Sequence, residues 1–113
     1  GYSASITPKS SSSKILVEFD LPWFGMANTS VTSQLDATLY VGSTALDTRG
    51  IASAYIANNT YIQPHGTFLH THGSSSAITY KIYARGNYAT AGEYSINRGD
   101  NSRVRFCLTE IAQ

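Results

Sequence analysis

From residue 15 to residue 21 apolar side chains fall at every second position: Ile15, Val17, Phe19 and Leu21, separated by Leu16, Glu18 and Asp20. A period of two sends the two sets to opposite faces of an extended chain, which predicts a strand with one greasy face and one mostly wet face. Pro22 lacks a ladder N–H and ends it. Leu35, Ala37, Leu39 and Val41 repeat the pattern against Asp36, Thr38 and Tyr40, and Gly42-Ser43 closes that strand. Two further strands read as clearly. In one, Ile78, Tyr80, Ile82 and Ala84 alternate with Thr79, Lys81, Tyr83 and Arg85; in the other, Val104, Phe106 and Leu108 alternate with Arg103, Arg105, Cys107 and Thr109. Weaker strands are expected at Ser3 to Thr7, Ile51 to Ile56, Tyr61 to Gln63, Thr67 to His70 and Tyr94 to Ile96, each bounded by Gly, Pro, Asn or Ser. No window sustains the i, i+3, i+4, i+7 spacing of an amphipathic helix. The chain is predicted to be all-β, with short strands at the intervals of a sandwich, jelly roll or small barrel.

The length of 113 residues suits a single domain, 1–113, with one core. Charged residues make up 13%, against about 25% in ordinary soluble domains, and the formal net charge is +1. With Lys and Arg scattered, nothing draws the chain to nucleic acid or to an anionic membrane. No apolar run approaches the roughly 18 residues of a membrane span, so no membrane insertion is expected. The one cysteine, Cys107, excludes an intrachain disulfide and a multi-cysteine zinc site. The run Ser10 to Ser13 reads as a turn before the strand that opens at Lys14.

Several segments together resemble a family. "SITPKSSSSKILVEFDLP", "SSSAITYKIYARG", "YSINRGD" and "LTEIAQ" are similar to a small domain found at the C-terminal ends of bacteriophage fibre proteins, particularly in marine phages. The residues that carry the resemblance are Ile6-Thr7-Pro8, Ser10 to Ser13, Lys14, Thr79-Tyr80-Lys81, Ile96-Asn97-Arg98 and Glu110-Ile111. The resemblance spans most of the chain, with the stretch from Ala27 to Gln63 outside it. It implies an antiparallel β-sandwich of jelly-roll type, assembled as a homotrimer at the tip of a longer virion fibre, in the phage tail or on the capsid. Such a tip holds a host cell-surface polysaccharide or an outer-membrane component. Two other classes stay open: a purely structural virion part, such as a capsid decoration or trimerising cap, and a cellular carbohydrate-binding module.

Candidate chemistry is sparse. His70 and His72, at i and i+2 on a strand, point to one face, and two imidazoles are too few to close a metal site in one chain. Three copies around a threefold axis would supply six nitrogens for a transition metal, while the alternative is a pair of polar residues beside a loop. No other cofactor is expected, and His65 reads as a turn residue. Glycan recognition rests on rings that stack against sugars. Trp23, just past the strand end at Pro22, and Tyr55, Tyr61 and Tyr88, in other loops, are the candidates, with a core or interface plug as the alternative for Trp23.

Catalysis finds no matching pattern. There is no Gly-x-Ser-x-Gly elbow, and the serines are turn serines. Glu18 and Glu110 would have to converge to act as a glycosidase pair, and for Glu110 its place in the closing Glu-Ile of the resemblance implies a structural role such as a backbone hydrogen bond instead. Arg98-Gly99-Asp100 spells an integrin tripeptide by chance, and the sequons at Asn28 and Asn58 matter only in a eukaryotic secretory pathway. Cys107 should share the wet face with Arg103 and Arg105.

Overall fold

The computed structural model describes residues 2–22, 24–27, 33–47, 51–56, 60–86, 93–95 and 104–113, and all of its regular structure is β. The first sheet contains β1 (Tyr2–Ile6), β4 (Ser33–Val41), β5 (Thr44–Ala45), β6 (Ala52–Ile56) and β9 (Ile78–Gly86), all antiparallel. Its order is β1-β9-β4, and the far edge of β4 is shared by β5 and β6. The β4–β5 hairpin turns on Gly42-Ser43 with Gly42 at φ +59°, the left-handed backbone that two-residue hairpins require. The Leu46 N–H still donates to the Leu39 carbonyl at 2.8 Å. The chain rejoins the same edge at Ile51, whose N–H donates to Ala37 at 2.7 Å.

A second layer is built along three chain paths. β2 (Lys14–Asp20) lies between β8 (His65–Thr71) and β11 (Arg105–Ile111). Its continuation β3 (Phe24–Ala27) lies between β7 (Thr60–Ile62) and β10 (Glu93–Ser95). Prolines interrupt two of these paths: Pro22 between β2 and β3, and Pro64 between β7 and β8. Neither proline has a ladder donor. Across the break, the Leu21 N–H donates to the Pro64 carbonyl at 2.9 Å, which keeps the two halves in step. The β1–β2, β3–β4, β6–β7, β8–β9 and β9–β10 connections pass from one layer to the other, while β2–β3, β7–β8 and β10–β11 stay within the second.

The core lies between the layers. Ile15, Val17, Phe19, Leu21 and Phe24 come from β2, β3 and their junction; Leu35, Ala37 and Leu39 come from β4; Ile78, Tyr80 and Ile82 come from β9. All are buried in one cluster. Each aliphatic or Phe side chain here contributes about 1.5–3 kcal/mol by leaving water, so the period-two pattern is what selects this register over one shifted by a residue.

Four details depart from the sequence reading. The chain after Pro22 resumes as β3, with Phe24 fully buried, and β5 forms where only a turn was expected. His65 is the first residue of β8, paired with Asp20, instead of a turn residue. Asp36 faces away from the core as expected, yet it is only 4% exposed. Its carboxylate accepts from Gln34 Nε2 at 2.9 Å and Ser53 Oγ at 2.6 Å, and Arg85 lies against it at 3.6 Å. Charge burial is tolerable there because every partner is supplied.

Candidate functional site

The serine turn and the two histidines meet at one end of the sandwich. Glu110 is on the core-facing side of β11, opposite Ile15. Its carboxylate accepts from the backbone N–H groups of Lys9 (2.8 Å) and Ser10 (3.2 Å) and from the Ser13 hydroxyl (2.6 Å). These donors, Ser13 first and the Lys9 amide next, hold the Glu110 carboxyl below its ordinary value. Ser13 is buried, and its oxygen lies 3.3 Å from His72 Nε2. The Ser74 N–H donates to His72 Nδ1 at 3.0 Å, so neutral His72 carries its proton on Nε2 and donates to Ser13.

His70 has a different partner. Its Nδ1 lies 2.7 Å from the hydroxyl of Tyr80, a fully buried residue whose pKa burial pushes up to about 12. That phenol keeps its proton, and it donates to Nδ1 or accepts from it according to the imidazole tautomer. Burial first, and the neighbouring His72 second, lower the His70 pKa. The rings sit 6.3 Å apart, inclined at 58°.

His70 and His72 do share a face, as their spacing requires, but it is the inner one. Three of their four ring nitrogens are engaged by Tyr80, Ser13 and Ser74. In this wiring Nε2 of His72 carries a proton and offers no lone pair, whereas Nε2 of His70 has no partner among the described residues, so a threefold-axis metal of the kind expected from the spacing would require His72 to release the Ser74 N–H. Moving the His72 proton to Nδ1 would point it at the Ser74 N–H. Among the described residues no group of three or more His, Cys, Asp or Glu is placed to hold a metal. The Ser13, His72 and Glu110 trio is also wired against nucleophilic catalysis: the acid holds the serine, and the Nδ1 that a triad acid would orient is occupied by a backbone donor.

The aromatic candidates divide. Trp23 and Tyr88 lie outside the described residues, as do Arg103, the Arg98-Gly99-Asp100 tripeptide and both sequon asparagines. Tyr55 and Tyr61, offered as loop residues for glycan stacking, lie in the weaker strands expected at Ile51 to Ile56 and Tyr61 to Gln63: Tyr55 in β6, paired with Gln34, and Tyr61 in β7, paired with Gly25. A Cβ on Gly25 would run into the Tyr61 ring and the Thr60 carbonyl, so glycine there is what lets the half-buried ring close over the neighbouring strand. Glu18 faces outward opposite Cys107, whereas Glu110 faces inward, so the two carboxylates are on opposite sides of the sheet and form no glycosidase pair.

The outer face of the second layer holds a grouping that the sequence did not single out. Cross-strand register sets Arg105, Asp20 and His65 in one row, and Cys107, Glu18 and Thr67 in the next. With Gln63 these side chains line a groove of about 540 Å³. The remaining rows are more apolar: Leu16 beside Leu69, which is 52% exposed, then Ile111 beside Lys14. Only pairing could have revealed the groove, since its walls come from three segments far apart in the chain.

No protein-family model matches the chain, and neither a curated protein nor a solved structure is similar to it. Among the described residues, no helix is long and apolar enough to cross a membrane.

Proposed function

We propose that the chain is the tip domain of a virion fibre, a sandwich of jelly-roll type that assembles as a homotrimer and binds a glycan or outer-membrane component on the host cell. The observation that carries this reading is that three of the segments resembling phage fibre domains, residues 5–13, 79–81 and 110–111, meet in space, while Ile96-Asn97-Arg98 lies outside the described residues. Glu110 binds Lys9, Ser10 and Ser13; Ser13 meets His72; Thr79 exchanges a 2.8 Å hydrogen bond with Ser5; and Tyr80 anchors the core beneath His70. The layer-to-layer connections are those a jelly-roll wrapping needs. Trimerisation is supported by the exposed apolar side chains Leu69, Ile111 and Tyr83 and by edge strands β8 and β11, which a neighbouring copy would cover. The weak surface charge and the non-catalytic wiring of Ser13, His72 and Glu110 favour attachment over chemistry.

The test is light scattering after size-exclusion chromatography, with and without chelator, followed by adsorption of the labelled domain to bacterial cells. A trimer indifferent to chelator that adsorbs to some cells is expected. A monomer would overturn the fibre reading, and a trimer that adsorbs to no cell would leave a structural cap.

A further inference from the structure

We propose that the groove on the outer face of the second layer is the combining site for a neutral, hydroxyl-rich oligosaccharide, with Glu18, Asp20, Gln63, His65, Thr67 and Arg105 as the contacting side chains. The proposal rests on the adhesin reading and moves the contact away from the tyrosines to which the sequence pointed.

The argument begins with a comparison inside the molecule. Two Asp-Arg pairs stand directly opposite each other across antiparallel strands and face outward: Asp36 with Arg85 in the first layer, and Asp20 with Arg105 in the second. Asp36 is saturated by Gln34, Ser53 and Arg85 and is buried beneath them. Asp20 receives only a long contact from Gln63 Nε2, at 3.4 Å. Among the described residues, neither Asp20 nor the adjacent Glu18 forms an ion pair with Arg105. The same residue pair in the same register is therefore closed in one layer and open in the other.

The open set has the chemistry that vicinal hydroxyls require. Carboxylates accept from O–H groups two at a time, a guanidinium donates in a planar fork, and an amide, an imidazole and a threonine hydroxyl can do either. The groove's 540 Å³ lies within the span of about 300–1,000 Å³ usual for small-ligand sites. Charge sets the class of sugar. Among the described lining residues two carboxylates, Glu18 and Asp20, face one guanidinium, Arg105, so a chain bearing uronate, sulfate or sialate groups meets net repulsion from them, and a neutral glycan does not. Cys107 stands beside Glu18 in the groove wall with an exposed thiol, which makes it a natural reporter of occupancy.

The experiment presents the whole domain to immobilised neutral oligosaccharides (glucans, galactans, mannans and N-acetylhexosamine chains) and to uronate-bearing ones. Retention on a neutral chain is expected. Asp20→Asn and Arg105→Ala should each weaken it by about tenfold or more, as loss of a hydrogen bond to a charged group does, while Tyr61→Phe should leave it unchanged. The retained sugar should slow alkylation of Cys107 severalfold. Circular dichroism confirms that these surface variants are folded. Neutral-glycan binding that survives both groove variants would overturn the groove and leave the adhesin reading standing. Retention on uronate chains alone would overturn the charge argument, and retention on no glycan at all would overturn both the site and the glycan-binding reading.

Discussion

Replacing Tyr80 by Phe removes a single oxygen at the end of the core, where it meets His70, and the structure shows what that oxygen does. Tyr80 is fully buried, and its hydroxyl is 2.7 Å from His70 Nδ1. Tyr80→Phe deletes the bond and strands the imidazole nitrogen inside the sandwich, a loss of about 1–3 kcal/mol. His70→Leu strands the phenol instead and should cost a similar amount. The double variant removes donor and acceptor together, so it should be more stable than the sum of the single effects by about 1 kcal/mol or more. For a chain of 113 residues, an unfolding entropy of about 2.1 cal/mol/K per residue converts each kcal/mol into about 4 °C of melting temperature. Tyr80→Phe should therefore melt about 4–12 °C below the parent. The assay is thermal unfolding followed by circular dichroism, at one fixed protein concentration because assembly makes the midpoint concentration-dependent. Additivity of the two single variants to within about 0.3 kcal/mol would refute the coupling between the two side chains.

Acid should destabilise the fold in two steps, because the His70 pKa is lowered by burial and by His72, and that of Glu110 by Ser13 and the Lys9 amide. In both cases the unfolded chain binds more protons, so stability falls as pH drops below about 6.5 and again below about 4.5. Urea midpoints across this range check it, and His70→Leu should flatten the upper step only. Glu110→Gln should speed hydrogen exchange at the Lys9 and Ser10 amides while exchange in β9 stays slow; unchanged exchange at those two amides would show that the carboxylate does not clasp the turn. Gly66→Ala should destabilise by about 1–3 kcal/mol, since its Cβ would stand 2.8 Å from Phe19 Cζ, and Phe19→Leu in the same chain should recover part of that loss.

The strands that alternate cleanly, β2, β4, β9 and β11, are visible in the bare sequence because burial on one face imposes the period. β3 is harder to see: Phe24-Gly25-Met26-Ala27 does not alternate, and the preceding proline signals an ending, although Leu21 and Phe24 carry the core across the break. β5 is two residues long, too short to show a period. Asp36 reads as a solvated residue because the groups that allow its burial, Ser53 and Arg85, come from other strands. The same holds for function. The structural role of Glu110 could be anticipated from its place in the resemblance, whereas the inward aim of His70 and His72 depends on register, which local spacing does not supply. Arg105 was noticed as an outward residue, but its neighbours Asp20 and His65 are joined to it only by pairing.

The central position of β2 also dictates an order of events in synthesis. This strand emerges early, yet its hydrogen-bonding partners are residues 65–71 on one side and 105–111 on the other. Until both have left the ribosome, an apolar ribbon containing Ile15, Val17 and Phe19 has at least one open edge, and pairings so distant in sequence form slowly. In the interval between synthesis of β2 and of β11 this stretch is open to pairing with neighbouring nascent chains on the same message, and β11 is the strand that shuts that window.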